Sequence, residues 1–152
     1  MRLSITVVGR PAPQGSHDLG SAGQFLDSSP YLAAWRQAVK IAAWRSCSQI
    51  GVMPSALPAF AADVPVIFER ITFYLAPEQC RAAGTDAPIG KPDVDKLLRA
   101  TLDALGGAHD PKQHARLYVD DSQVVEVRHL SKERAPAGSR PGALIIVTDG
   151  RD

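Results

Sequence analysis

Apolar and polar positions alternate at the start of the chain: Leu3, Ile5 and Val7 are separated by Ser4 and Thr6, which predicts a half-buried first strand. The pattern is lost from Gly9 to Pro30, a stretch rich in Pro, Gly and Ser. A loop of that length in a compact domain is usually functional or disordered. Helical spacing takes over across residues 31–47, with Ser28, Ser29 and Pro30 as start signals. Leu32, Trp35, Val39 and Ala42 or Ala43 form one apolar face, and Arg36, Lys40 and Trp44 form a partly basic stripe. Core packing is the expectation for both tryptophans, with base stacking by Trp44 as the alternative.

Residues 48–64 read as a connector, since Pro54 and Pro58 exclude regular structure. Residues 66–75 predict a strand with Ile67, Ile71, Phe73 and Leu75 on one face and Glu69 breaking the pattern. A second helix is predicted over 94–105, with Leu98, Leu102 and Leu105 toward the core and Gly106-Gly107 as its stop. Residues 117–119, 124–130 and 143–148 are strand-like. The order β-α-β-α-β-β predicts an α+β fold, a small mixed sheet packed with two main helices, in a single domain over residues 1–152.

Composition changes this picture little. The chain has 152 residues, 45% hydrophobic and 22% charged, with a net charge of +1, so gross charge does not announce a nucleic-acid binder. Its apolar runs fall short of the ~18 residues of a membrane span. The first residues are too short and too alternating for a secretory signal. Cys47 and Cys80 lack metal-ligand spacing, and a reduced, cytoplasmic setting is the expectation. His17, His109, His114 and His129 show no zinc spacing, and Ser16 and Ser122 have no sequence-readable base. No phosphate-binding or dinucleotide fingerprint is present.

The distribution of charge says more. Acids concentrate between Asp93 and Glu126, while Arg128, Lys132, Arg134 and Arg140 follow against Glu133. Asp93 and Asp95 stand at the mouth of the second predicted helix, and Asp120 and Asp121 at the end of a predicted strand. Short carboxylates on separate elements are what Mg²⁺ uses, with several waters retained. If they converge, carboxylates ~4 Å apart repel by roughly 4 kcal/mol per pair at an effective dielectric near 20, so a cation, proton or basic neighbour is required. Each acid also has a bland account. Asp93 serves as an N-cap, Asp95 as a first-turn acid suited to the helix dipole, and Asp120-Asp121 as turn residues. Asp95, Arg99 and Asp103 share one helix face, where Arg99 and Asp103 suit a surface ion pair worth ~0–1 kcal/mol.

The run K-P-D-V-D-K-L-L-R-A-T-L-D-A-L-G-G over 91–107, followed by D-D-S-Q-V-V-E-V over 120–127, resembles the RusA-type Holliday junction resolvases. These are small Mg²⁺-dependent endonucleases often carried by phages and prophages. The family pattern is roughly K-P-D-x-D-N-L-x-K-x-x-x-D-A-L, then D-D-x-Q-V. The resemblance is strong over 91–127, while the opening strand, the 9–15 loop, the first helix and the last strand fit more loosely.

The resemblance implies that Asp93, Asp95 and Asp121 are the essential metal-binding acids, with Asp120 beside them. The implied cofactor is Mg²⁺, with Mn²⁺ as a substitute, activating a water and stabilising charge on the scissile phosphate. It also implies four-way junction DNA as substrate and a homodimer that cuts two opposed strands. Two positions depart: the family asparagine is Lys96, and the family lysine is Arg99. Arginine can clamp a phosphate but cannot act as a deprotonatable amine. The 108–116 segment is longer than the usual link. Candidate DNA contacts are Arg10, Lys40, Lys91, Lys132, Arg134 and Arg140, each equally readable as a solvated charge. Two rival functions are a non-catalytic junction binder and a transferase that uses D-x-D to hold a nucleotide diphosphate.

Overall fold

The computed structural model describes residues 1–15, 18–19, 25–26, 30–53, 58–80, 87–106 and 116–151. The expected Ser28-Ser29 start signal, Ser16, Cys-free segment 54–57 with Pro54, Gly107, and most of the 108–116 segment with His109 and His114 lie outside these residues, as does His17.

The fold is α+β: a mixed five-stranded sheet with two helices, in the order β-α-β-α-β-β, the strand expected over 124–130 being split in two. Strand β1 (Arg2–Val8) pairs antiparallel with β7 (Gly142–Thr148), placing Ile5 opposite Ile145. Strand β4 (Val66–Leu75) pairs with the other edge of β7, also antiparallel. The outer edge of β4 carries two short parallel strands in succession, β5 (Val124–Val127) and β6 (Leu130–Arg134). A separate two-stranded pair, β2 (Asp18–Leu19) and β3 (Phe25–Leu26), lies in the long first loop. Gly142, paired with Val8 at the start of β7, has to be glycine: a Cβ there would overlap the Val7 carbonyl.

Glu69 does more than break a pattern. Phe68 pairs with Val147 and Arg70 with Ile146, so Glu69 is an extra residue in the ladder. The bulge reverses which side chains face inward. Val66 and Phe68 are buried before it and Ile71, Phe73 and Leu75 after it, whereas Ile67 is only half-buried. The expected single face therefore fails at Ile67. The expected strand at 117–119 is reduced to one bridge between Tyr118 and Phe60.

Helix α1 (Leu32–Gln49) buries Leu32, Trp35, Val39, Ala42 and Ala43 as its spacing predicts. The tryptophans part company: Trp35 is 1% exposed and Trp44 46% exposed, so the expected core role holds for Trp35 alone. Trp35 Nε1 donates to Thr101 Oγ1 (3.2 Å) and ties α1 to helix α2 (Val94–Gly106). Helix α2 buries Leu97, Ala100, Thr101, Ala104 and Leu105. Leu98 and Leu102 pack against the core as expected but are only partly buried, and the fully buried centre of the face also takes in Leu97, Ala100 and Thr101. Cys47 is buried in this core, and burial pushes its thiol pKa up. Among the described residues no helix is long and apolar enough to cross a membrane.

Candidate functional site

The start of α2 is built by its own sequence. Pro92 is buried and Asp93 precedes the first helical residue; the Asp93 carbonyl accepts the Leu97 N–H at 3.1 Å, the first bond of the helix. Asp93 thus has the backbone position of an N-cap, while its carboxylate is 47% exposed and lies 3.4 Å from the Lys96 ammonium. Asp95, two residues further on, is exposed as well. The loop that delivers them is fastened from behind. Lys132, on β6, donates to the carbonyls of Gly90 (2.6 Å) and Pro92 (2.9 Å). Lys132 was a candidate phosphate contact; here its ammonium holds the Asp93 loop to the sheet.

The second pair of acids is set by a short 3₁₀ turn, Asp121–Gln123. Asp120 Oδ1 accepts the Ser122 N–H at 2.8 Å, and that backbone bond holds the Asp120 carboxyl below its usual range. Gln123 closes the turn from the other side. Its Oε1 accepts the N–H groups of Val119 (2.7 Å) and Asp120 (2.9 Å), and its Nε2 donates to Ala61 O (2.7 Å) and Val64 O (3.0 Å). The residue is only 8% exposed. Its role was missed in the sequence, although an acid followed three residues later by Gln is a capping-box spacing.

Asp121 packs on the far end of α2. Tyr118 Oη lies 2.9 Å from Leu102 O and 3.1 Å from Asp121 Oδ1, so its single proton serves two acceptors. Burial, and then the Asp121 charge, push the Tyr118 pKa far up and keep the hydroxyl a neutral donor. A Cβ on Gly106 would stand 2.9 Å from the Tyr118 ring and 3.0 Å from Asp121 Oδ1. Glycine is needed here for close approach rather than only as a helix stop. Replacing Tyr118 with Phe should cost about 1–2 kcal/mol, since a part-buried carbonyl and a carboxylate lose their shared donor. The check is the denaturant midpoint, and an unchanged midpoint would show that water takes over both bonds.

The two acid pairs stand at opposite ends of one helix. Gly106, which Asp121 touches, lies about 16 Å beyond Asp95 along the axis at 1.5 Å per residue. The expected single pocket holding Asp93, Asp95 and Asp121 is therefore not formed in this arrangement. Among the described residues no group of three or more His, Cys, Asp or Glu is placed to hold a metal ion. The donor set at the helix start, two accessible carboxylates, suits an ion that takes one or two protein oxygens and keeps its waters. Asp121 does not join it. Asp120 and Asp121 share a small cavity with Gly106, Val119 and Arg116 instead.

Arg99 is exposed in the middle of α2. The ion pair seen for Asp103 is with Arg36 on α1 (3.7 Å), not with Arg99. Of the other candidate cations, Arg10 and Lys91 line one cleft beside Asp93. Arg134 and Arg140 are exposed at the end of β6 and in the turn before β7, and Lys40 is half-buried on α1. No protein-family model and no curated protein matches this chain.

Proposed function

We propose that this protein is a Mg²⁺-dependent endodeoxyribonuclease of the RusA type that resolves four-way DNA junctions in recombination and repair. The observation that carries the reading is the 91–127 motif, whose first two acids stand exposed at the start of α2 beside a cleft bearing Arg10, Lys91 and Lys96. Asp93 and Asp95 would hold the ion, which when bound would supply Lewis-acid stabilisation of charge on the phosphate. Arg99, on the same helix face as Asp95, would meet that phosphate as an electrostatic clamp. Lys132 would keep the Asp93 loop in place. A role for Asp121 at the same ion rests on the resemblance; its Oδ1 accepts a hydrogen bond from the Tyr118 hydroxyl at 3.1 Å.

The test is cleavage of a synthetic four-way junction beside linear duplex, with and without Mg²⁺. Paired, Mg²⁺-dependent cuts in the junction alone are expected, with binding that weakens as salt rises because phosphate contacts dominate. A second reading, a junction-binding protein without cleavage, is favoured by the separation of Asp121 from Asp95 and by the Lys96 and Arg99 departures. Tight junction binding with no cleavage in either Mg²⁺ or Mn²⁺ would establish it.

A further inference from the structure

A cleft of about 580 Å³ opens next to Asp93, between the loop after β1, the start of α1, and the loop that leads into α2. Its chemistry is mixed in a particular way. Arg10 lies over the Tyr31 ring, 4.1 Å from guanidinium carbon to centroid, and Tyr31 is 46% exposed. Pro11, Pro13, Pro92 and the 56%-exposed Ile89 add apolar wall. Lys91 and Lys96 stand at the Asp93 side. The floor is built, since Gln79 Nε2 donates to Pro11 O (2.8 Å) and the Gln14 N–H to Lys96 O (3.1 Å).

We infer that this cleft is a subsite for one unpaired nucleotide of a DNA strand, its base stacked on the Tyr31–Arg10 pair and its phosphate met by Lys91 and Lys96. The inference rests on the function proposed above and extends it from the phosphate at Asp93 to the neighbouring base. Aromatic rings and guanidinium planes are the surfaces on which unstacked bases rest, and every base offers a face to them. The volume falls within the range of small-ligand clefts. Arg10 also pairs with Glu78 at 3.3 Å, and Lys96 with Asp93 at 3.4 Å. Both pairs are solvent-accessible and weak, so a phosphate can displace either acid. A cation on Asp93 would release Lys96 for the strand.

The experiment uses a short oligothymidylate carrying one central 2-aminopurine, whose fluorescence falls when the base stacks. It is titrated with the whole chain without divalent metal, so that cleavage plays no part. Quenching on binding is expected for the wild type and for Tyr31→Phe. Tyr31→Ala should lose the quenching and bind about tenfold more weakly, the scale of one base–aromatic stack. Equal quenching and affinity in Tyr31→Ala would overturn the inference. So would displacement by polyglutamate at equal charge with no quenching at any stage, which would assign the cleft to an acidic protein partner. A gel shift of the four-way junction with the same proteins keeps the two readings apart. Junction binding without quenching overturns the subsite alone. Quenching without preference for the junction over duplex supports the subsite and overturns junction selectivity.

Discussion

Asp93→Asn should abolish Mg²⁺-dependent junction cleavage, by on the order of 10²-fold or more, while junction binding without metal is retained or tightened. The carboxylate is 47% exposed, and the backbone bond that starts α2 comes from the Asp93 carbonyl, which the substitution keeps. Stability should therefore shift by no more than about 0.5 kcal/mol, the usual range for an exposed site. The substitution removes an oxygen ligand of the ion and also a negative charge facing the phosphates. A ligand role therefore separates cleavage from binding, whereas a structural role would reduce both together. Cleavage at the wild-type rate by a folded Asp93→Asn protein would remove the metal site from the start of α2.

Asp121→Asn asks a different question. A loss of cleavage equal to that of Asp93→Asn, with Tyr118 still buried, would mean that the two ends of α2 act on one ion. Asp121 docks about 16 Å beyond Asp95 along α2, so the expected source of the missing acid is a second copy. Mixing the two inactive variants then restores cleavage, because one of the two sites in a mixed dimer carries neither substitution. No recovery on mixing, with both variants folded and dimeric, would put both acids to work within one chain.

What the sequence made legible was what local pattern controls. The alternation of Leu3, Ile5 and Val7 gave β1, and the run over 66–75 gave β4, whose bounds agree with the structure. The partners of these strands, and the parallel return of β5 and β6 onto one edge of β4, depend on contacts between distant residues that no local period encodes. The phase change at Glu69 belongs to the same class. A bulge needs a neighbouring ladder to be defined, so a charged residue in an apolar run announces an interruption without saying which face follows. Leu98 and Leu102 pack against the core as expected but only at its margin, for a related reason. Hydrophobicity alone favours leucine over Ala100 and Thr101, yet both are fully buried, and Thr101 accepts the hydrogen bond of Trp35 from α1. At the candidate site the acids were visible as residue types. Their separation was not, because it is fixed by Gly106 and Tyr118 docking the 3₁₀ turn onto the end of α2 rather than its beginning.

The largest loss of stability is expected at Gln123. Gln123→Leu keeps the approximate volume and removes all four hydrogen bonds of the amide, leaving the Ala61 and Val64 carbonyls and the Val119 and Asp120 N–H groups to find other partners. An unsatisfied buried group costs about 1–3 kcal/mol, and water reaching part of this surface turn recovers some of that, so a net loss on the order of 3 kcal/mol is expected. A guanidinium chloride midpoint measures it; a loss below about 1 kcal/mol would show that the turn holds without the amide. Gln123→Glu separates donor from acceptor. The carboxylate keeps an acceptor for Val119 and Asp120 but faces two carbonyls where the amide donated. Burial and those carbonyls disfavour its charge, so its pKa in the folded protein rises above the ~4.3 of an exposed Glu. A raised folded pKa means that the protonated form carries the stability. Relative to wild type, Gln123→Glu should be least destabilised below pH ~4.3 and should lose ground as pH rises through its own folded value. Gln123→Leu, which carries no titratable group, should show a difference from wild type that does not depend on pH. A Gln123→Glu difference equally flat with pH would mean that its carboxylate turns out to solvent, leaving Ala61 and Val64 joined to the Asp120-Asp121 turn by water alone.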